Sequence, residues 1–366
     1  MSEPAAVQMD GVPVRLEQRA VLKSFLGLSL KNGLLNLVTL TLYRFWGKTE
    51  VRRRLWSSIH LNDEPFEYTG RGKELFLGFL FALGAIGLPF LVVVFGAQFL
   101  APAFAGLILL PFYIFLSFLM GYGRFTAFRY IASRSSWRGV RFQLTGSPAK
   151  YGWSYLGYVW LSVVSLGWFW PAANRRLAGP LWDGLRFGDR PFRYRIDDAR
   201  KEHVYGAFAL GWVGAMAAYF VLIAVMMSIL IPAMRDAAGN TVEPSLKVFG
   251  QIYAATGALA LVYTVIFSPY QAAMLRSIAA GIGFAEVRFR MRVKWYDMAW
   301  MTLSNLALLT TSLGFLMPFV EARVSKFLFD RLETTGTADL DSVRQAAGSS
   351  PRTGEGLADA FGVSPI

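Results

Sequence analysis

Three short combinations of side chains carry most of the chemistry this sequence could do. They are Glu50 with Arg52, Asn174 with Arg176, and Glu321 with Arg323, each an acid or amide followed two residues later by an arginine. Ionisable groups at membrane depth are costly and mark functional positions by default. Together these six could line a polar cavity that takes an anion or a lipid head group. The same residues at helix ends could instead anchor those ends at the interface, where a long side chain reaches water cheaply. Lys31, Asn32 and Asn36 lie inside the first apolar stretch and Asn305 inside the last. A pore lining and a helix–helix contact would account for them equally well. Trp46, Trp153, Trp168, Trp170, Trp295 and Trp300 read as an aromatic belt rather than a ligand cage.

Other chemistry finds little support. Cysteine is absent, which excludes disulfides, thiol catalysis and thiolate metal sites. His60 and His203 stand far apart, so an imidazole metal centre is not expected. No phosphate-binding glycine loop, no His-Glu-x-x-His and no acid–histidine pairing occurs within a run. The expectation is a protein that is not an enzyme and carries no cofactor or metal.

Composition sets what must position these side chains. Hydrophobic residues make up 54% of the 366, charged residues 17%, and the mean hydropathy is +0.40. That balance belongs to polytopic membrane proteins. The apolar runs at 75–95, 104–120, 205–231 and 252–267 are continuous. They suit spanning helices of roughly 20 residues and not an alternating outer-membrane barrel. No cleavable signal peptide is expected, because the first thirteen residues are polar and no cleavage pattern follows the first apolar segment. A net charge of +13 would point to nucleic acid in a soluble protein. Here the basic residues lie between apolar runs, so orientation by the positive-inside rule explains them. The expected partners are membrane lipids, through anionic head groups, and no nucleic acid.

A basic, aromatic phrase recurs five times, each time ahead of a long apolar run. It begins at Val14, Phe66, Val140, Phe192 and Val287. The first and third copies lie 126 positions apart, as do the second and fourth. Two kinds of unit alternate, and the later copies of the first kind align without a gap at an offset of 147: Trp153 falls on Trp300, Pro171 on Pro318 and Arg176 on Arg323. The opening copy follows with a two-residue shift, which sets Phe45, Trp46 and Arg52 on Phe169, Trp170 and Arg176. The chain divides into a polar N-terminal tail (1–13), a first repeat of entering segment plus helical hairpin (14–139), a second repeat (140–286), a third, half repeat (287–333) and a disordered C-terminal tail (334–366) in which 354–361 could form a helical turn or two.

Seven single crossings would put the basic connections at 175–201 and 276–294 outside. Their charge instead favours units of the first kind that enter and return, breaking near Leu42-Tyr43, Leu166-Gly167 and Leu313-Gly314. The chain after each break is amphipathic and suits an interfacial helix. The recurring phrase alternates apolar with polar residues behind turn signals, as a strand does. Five such strands could pair into a small cytoplasmic sheet, or remain five separate connectors. The expected class is an all-α polytopic membrane protein of tandem-repeated helical units, with short β-strands on the cytoplasmic side.

The stretch from Asn36 through Leu-Val-Thr-Leu-Thr-Leu-Tyr-Arg-Phe-Trp-Gly-Lys-Thr-Glu-Val to Arg52, the phrase Trp137-Arg-Gly-Val-Arg-Phe and the tail Gly354-Glu-Gly-Leu-Ala-Asp-Ala-Phe resemble the YjgN family of bacterial inner-membrane proteins. The resemblance implies a multi-pass plasma-membrane protein and no established activity, and it brings no catalytic residues. Where that family often has Thr-Leu-Gly at the first break, this chain has Thr41-Leu42-Tyr43, so a different first turn is expected. Two functions are open: permeation or transport of a small or lipidic solute, and a non-transporting scaffold or lipid-binding organiser. Polar residues facing one another across the repeats would favour the first; an apolar, tightly packed interior would favour the second.

Overall fold

Short strands and paired helices alternate along the whole chain. The computed structural model describes residues 11–99, 102–239 and 246–345. It opens with β1 (Val12–Pro13) and β2 (Leu16–Gln18), then the helix pair α1 (Lys23–Val38) and α2 (Arg44–Trp56), which returns in β3 (Ile59–Leu61). Next come β4 (Glu64–Pro65) and β5 (Glu67–Tyr68) and a longer pair. In it α3 (Gly72–Ala82) passes through a π-helical turn into α4 (Leu88–Ala97), and α5 (Pro102–Arg134) comes back to β6 (Ser135–Trp137). The third set is β7 (Val140–Leu144), α6 (Pro148–Val164), α7 (Trp170–Gly184) and β8 (Leu185–Phe187). The fourth is β9 (Arg190–Tyr194), the single turn α8 (Ile196–Arg200), the long α9 (Val204–Gly239) and α10 (Leu246–Gly281), and β10 (Ile282–Phe284). The last is β11 (Val287–Met291), α11 (Trp295–Thr311), α12 (Met317–Phe329) and β12 (Leu332–Thr335), followed by β13 (Thr337–Ala338).

The strands do far more than connect. β5 to β12 form one eight-stranded antiparallel sheet in chain order, and β2, β3 and β4 form a second sheet. β4 runs into β5 through Phe66, while at the far edge β12 lies against β2 and the Thr334 hydroxyl donates to the Val14 carbonyl. β1 pairs with β13. The strands therefore wrap around one core. Leu61, Trp137, Phe187 and Phe284, the last residues of β3, β6, β8 and β10, point into it beside Val14 and Val287. Phe142 against Phe187 and Phe192 against Phe284 each place ring centroids 4.8 Å apart. Burying one such ring contributes about 2–3 kcal/mol.

Two-residue turns join the strands at the end away from the helices: Asn62-Asp63, Arg138-Gly139, Gly188-Asp189 and Ala285-Glu286. In the first two, both central residues are left-handed, as a tight hairpin needs (φ +47° and +69°, +48° and +74°). The sequence boundaries at 139/140 and 286/287 fall at such turns. Leu340 and Val343 from the C-terminal segment close the core at this end.

Among the described residues, four helical segments are long and apolar enough to cross a membrane: Gly72–Ala97, Leu109–Arg134, Val204–Pro232 and Leu246–Gly281. The helices of the three short pairs are 13 to 17 residues long. α12 packs along both α1 and α11 as the return leg of its pair, and the contact of α12 with α1 brings the first and last pairs together.

Three expectations need correction. The chain is not all-α, because each helix pair delivers a second strand that pairs with the next phrase, which doubles the strand count and builds a continuous sheet. The tail does not lose its structure at Thr334: β12, β13 and the buried Leu340 and Val343 hold it as far as Gln345, since apolar residues at 338, 340 and 343 complete the core. Residues 354–361 lie outside the described residues. The first break falls at Leu40-Thr41 (φ +48° and +70°), two residues earlier than expected.

Candidate functional site

The three short helix pairs share one turn, and that turn fixes where the candidate residues stand. Thr41, Gly167 and Gly314 each donate a backbone N–H across the turn, to the carbonyls of Asn36, Ser162 and Leu309 at 2.6, 2.6 and 2.8 Å. Thr39, Ser165 and Ser312 then accept the N–H of Tyr43, Phe169 and Leu316 with their hydroxyls, at 2.9, 2.9 and 3.2 Å. Counted from this turn, Glu50 matches Arg176 and Arg323, each nine residues past Thr41, Gly167 and Gly314. Lys48, not Glu50, is the counterpart of Asn174 and Glu321, so the two-residue shift assigned to the opening copy is wrong for this helix.

The matched positions do not meet in one cavity. Each reaches back across its own hairpin. Glu50 accepts from Lys31 Nζ at 2.9 Å. The Arg176 guanidinium lies over the rings of Phe169 and Tyr158, 5.4 and 6.0 Å from their centroids. Arg323 donates from Nη1 to Asn305 Oδ1 and from Nη2 to Ser304 Oγ, both at 2.8 Å. Asn174 instead donates to the Tyr270 hydroxyl on α10 at 2.9 Å, and Glu321 is half-buried on α12. Arg52 is buried against Tyr68, to whose hydroxyl Nη1 donates at 3.4 Å, and its Nη2 has no hydrogen-bond partner among the described residues. Glu50, Arg176 and Arg323 thus tie the two legs of their own hairpins together, Asn174 ties α7 to α10, and Arg52 ties α2 to β5. The tryptophans of the expected belt stand exposed, from 37% at Trp170 to 70% at Trp300.

A different cluster forms on the outer face of the strands. Side chains alternate across a strand, so with Phe192, Phe284 and Val287 pointing inward their neighbours point out. Register places Arg193, Gly283 and Arg288 in one row across β9, β10 and β11. Arg195 follows two residues on, and these side chains with Arg190 and Glu286 line a cavity of about 260 Å³. Near it, Lys201 holds the Asp198 carboxyl below the usual range by a hydrogen bond, with smaller contributions from Arg195 and Arg288. Arg193, Arg195 and Arg288 belong to the fourth and fifth basic phrases of the sequence, but the phrases alone do not mark a site. The available signal was Gly283 in the middle of an otherwise apolar strand just before the fifth phrase, because a strand glycine often marks a close approach.

No curated protein and no solved structure matches the chain. A family model described as a bacterial protein of unknown function (DUF898) matches residues 15–360. That span covers nearly all of the strand core and every helix pair, and the chain therefore belongs to this family, the YjgN family.

Proposed function

We infer that the chain is a multi-pass protein of the bacterial inner membrane, assembled from repeated strand–helix pair–strand units, that binds and organises anionic lipid at the membrane surface without conducting a solute. The observation that carries this reading is the filled strand core. Trp137, Phe187, Phe284 and Val287 are between 0% and 6% exposed, and Leu340 and Val343 cap them. Lys31 with Glu50 and Asn305 with Arg323 are engaged within their hairpins, and Asn174 with α10. Every helix pair begins and ends at the same end of the core, so the arginine-rich junctions share a side, which the positive-inside rule makes cytoplasmic. The tips of the short pairs are apolar and bare, with Leu40, Leu166 and Leu313 exposed by 85%, 74% and 88%. Such tips suit insertion part-way into the nearer leaflet.

Reconstitution into liposomes tests this. Expected are no flux of ions, small solutes or labelled lipid under any imposed gradient, and retention of phosphatidylglycerol over phosphatidylcholine around the purified protein. A flux that depends on the protein would overturn the reading. One observation favours the permeation alternative: Asn32 Oδ1 and Asn36 Oδ1 on α1 have no hydrogen-bond partner among the described residues. In that case Asn32→Leu would abolish the flux.

A further inference from the structure

We propose that the outer wall of the strand core carries a phosphoryl-binding site, formed by Arg193, Arg288 and Arg195 around Gly283. Gly283 is buried at the centre of β10, with Arg193 its register partner on one side and Arg288 on the other. A Cβ at this position would overlap Arg288 Nη1, so the missing side chain is what lets a guanidinium lie across the strand. A glycine inside a strand weakens it, and this one lets the Arg288 guanidinium lie against the strand at the cavity wall.

Charge points to the occupant. Arg138 has Glu64 and Asp341 as acid partners and Arg292 has Glu333, while Arg141, Arg186 and Arg290 stand on their strands without an ion pair among the described residues. What sets Arg193, Arg195 and Arg288 apart is that they line one cavity. Among the described residues, Arg193, Arg195 and Arg288 form no ion pair, and Arg190 at the turn end donates only to Ser342 Oγ at 3.1 Å. Asp198 and Glu286 offset part of the repulsion among these three guanidiniums, and an anion in the cavity would offset the rest. Their planar forks match the oxygen edges of a phosphoryl group better than a point charge would. The cavity, about 260 Å³, sits at the small end of ligand sites, which suits a phosphoryl group with a small alcohol attached. Glu286 stands at its rim and opposes the anion.

The phosphoryl group could be a lipid head group or a free phosphate. Position favours the lipid: Arg195 precedes α8, and the apolar segment of α9 begins at Val204. The site does not depend on whether the protein conducts. Its failure is read in binding and that of the functional reading in flux.

The test uses the full chain in neutral nanodiscs, titrated with inorganic phosphate and, separately, with short-chain phosphatidylglycerol. Arg193→Gln and Arg288→Gln should each weaken binding about ten-fold or more, as expected for lost charge-assisted hydrogen bonds. Glu286→Gln should tighten it severalfold, and Arg15→Gln, at the same place in the first phrase but outside the cavity, should leave it unchanged. Phosphatidylglycerol that displaces phosphate supports the site with a lipid ligand. Phosphate binding that phosphatidylglycerol does not displace supports it with a soluble one. No binding of either probe by the parent chain overturns the proposal, and so does equal binding by the parent and both arginine variants. Glu286→Gln keeps the parent's arginines, so unchanged affinity in that variant alone would also count against the cavity as the site.

Discussion

Thr41 and Gly167 occupy the same place in two helical hairpins, each the second left-handed residue of its turn, at φ +70° and +93°. Gly314 holds the third such place at +83°. The hydrogen bonds around all three are the same, so the first hairpin keeps the turn while giving up the residue best suited to it. A side chain in this conformation costs about 1–2 kcal/mol. Thr41→Gly should therefore raise stability by about 1 kcal/mol. At Gly314 an added Cβ would meet no atom within 4 Å, so Gly314→Ala isolates the backbone cost and should lower stability by about the same amount. Thermal unfolding in detergent checks both. A loss in Thr41→Gly would mean that the threonine side chain holds the turn.

The cross-hairpin pairs differ in what they are worth. Lys31 and Glu50 are 51% and 40% exposed, so solvent discounts their attraction, and Glu50→Gln should cost little stability. Arg323 is tied to the buried Asn305, and Asn305→Leu should cost about 1–2 kcal/mol because the guanidinium keeps only Ser304. Unfolding curves of the two variants should separate, with the asparagine variant less stable. Equal losses would mean that the Arg323 contacts add nothing beyond surface pairing.

Much of this arrangement was legible in the sequence. Glycine at 167 and 314 marked two breaks, and the apolar runs marked the four long segments. The first break was misplaced because Thr41 stands where glycine would be, and because Phe45-Trp46 imitates Phe169-Trp170 at the wrong spacing. Only every second strand was visible. The phrases have alternation to read, but β3, β6, β8 and β10 are three residues long, too short for a period to register. Their turns, such as Arg138-Gly139 between Trp137 and Val140, were the available clue. The arginines of the cavity lie in two of the recurring phrases, but their meeting was not legible, since the row comes from three strands and Gly283 alone looks like a weak point.

Sidedness can be read directly, because the natural chain has no cysteine. The four tight turns lie at one end of the strand core, so Asp63→Cys, Gly139→Cys, Asp189→Cys and Glu286→Cys should all react with an impermeant thiol reagent from the same face. Inverted vesicles, with the cytoplasmic face outward, should label all four, while intact spheroplasts should label none. A split among the four would contradict the common end of the strand core. Uniform labelling in spheroplasts would reverse the orientation.

The C-terminal segment across these turns should loosen in acid. Arg138 donates to Glu64 Oε1 at 2.8 Å and to Asp341 Oδ1 at 2.7 Å, joining the first hairpin to the segment. The guanidinium holds the Glu64 carboxyl below its ordinary value, and a hydrogen bond from Ser342 does the same for Asp339. A carboxyl whose folded value is depressed adds stability that is present above the ordinary carboxylate range and is lost as pH falls through the depressed value. The segment should thus stay closed at neutral pH and open below the ordinary carboxylate range. Backbone hydrogen exchange over 338–345, quenched after equal intrinsic exposure at each pH, should rise there before it rises in β10. Arg138→Gln should remove most of that pH dependence by leaving the segment looser at every pH. Exchange that rises in β10 at the same pH as in 338–345 would mean that acid unfolds the core as a whole, and that the Arg138 link is not what holds the segment.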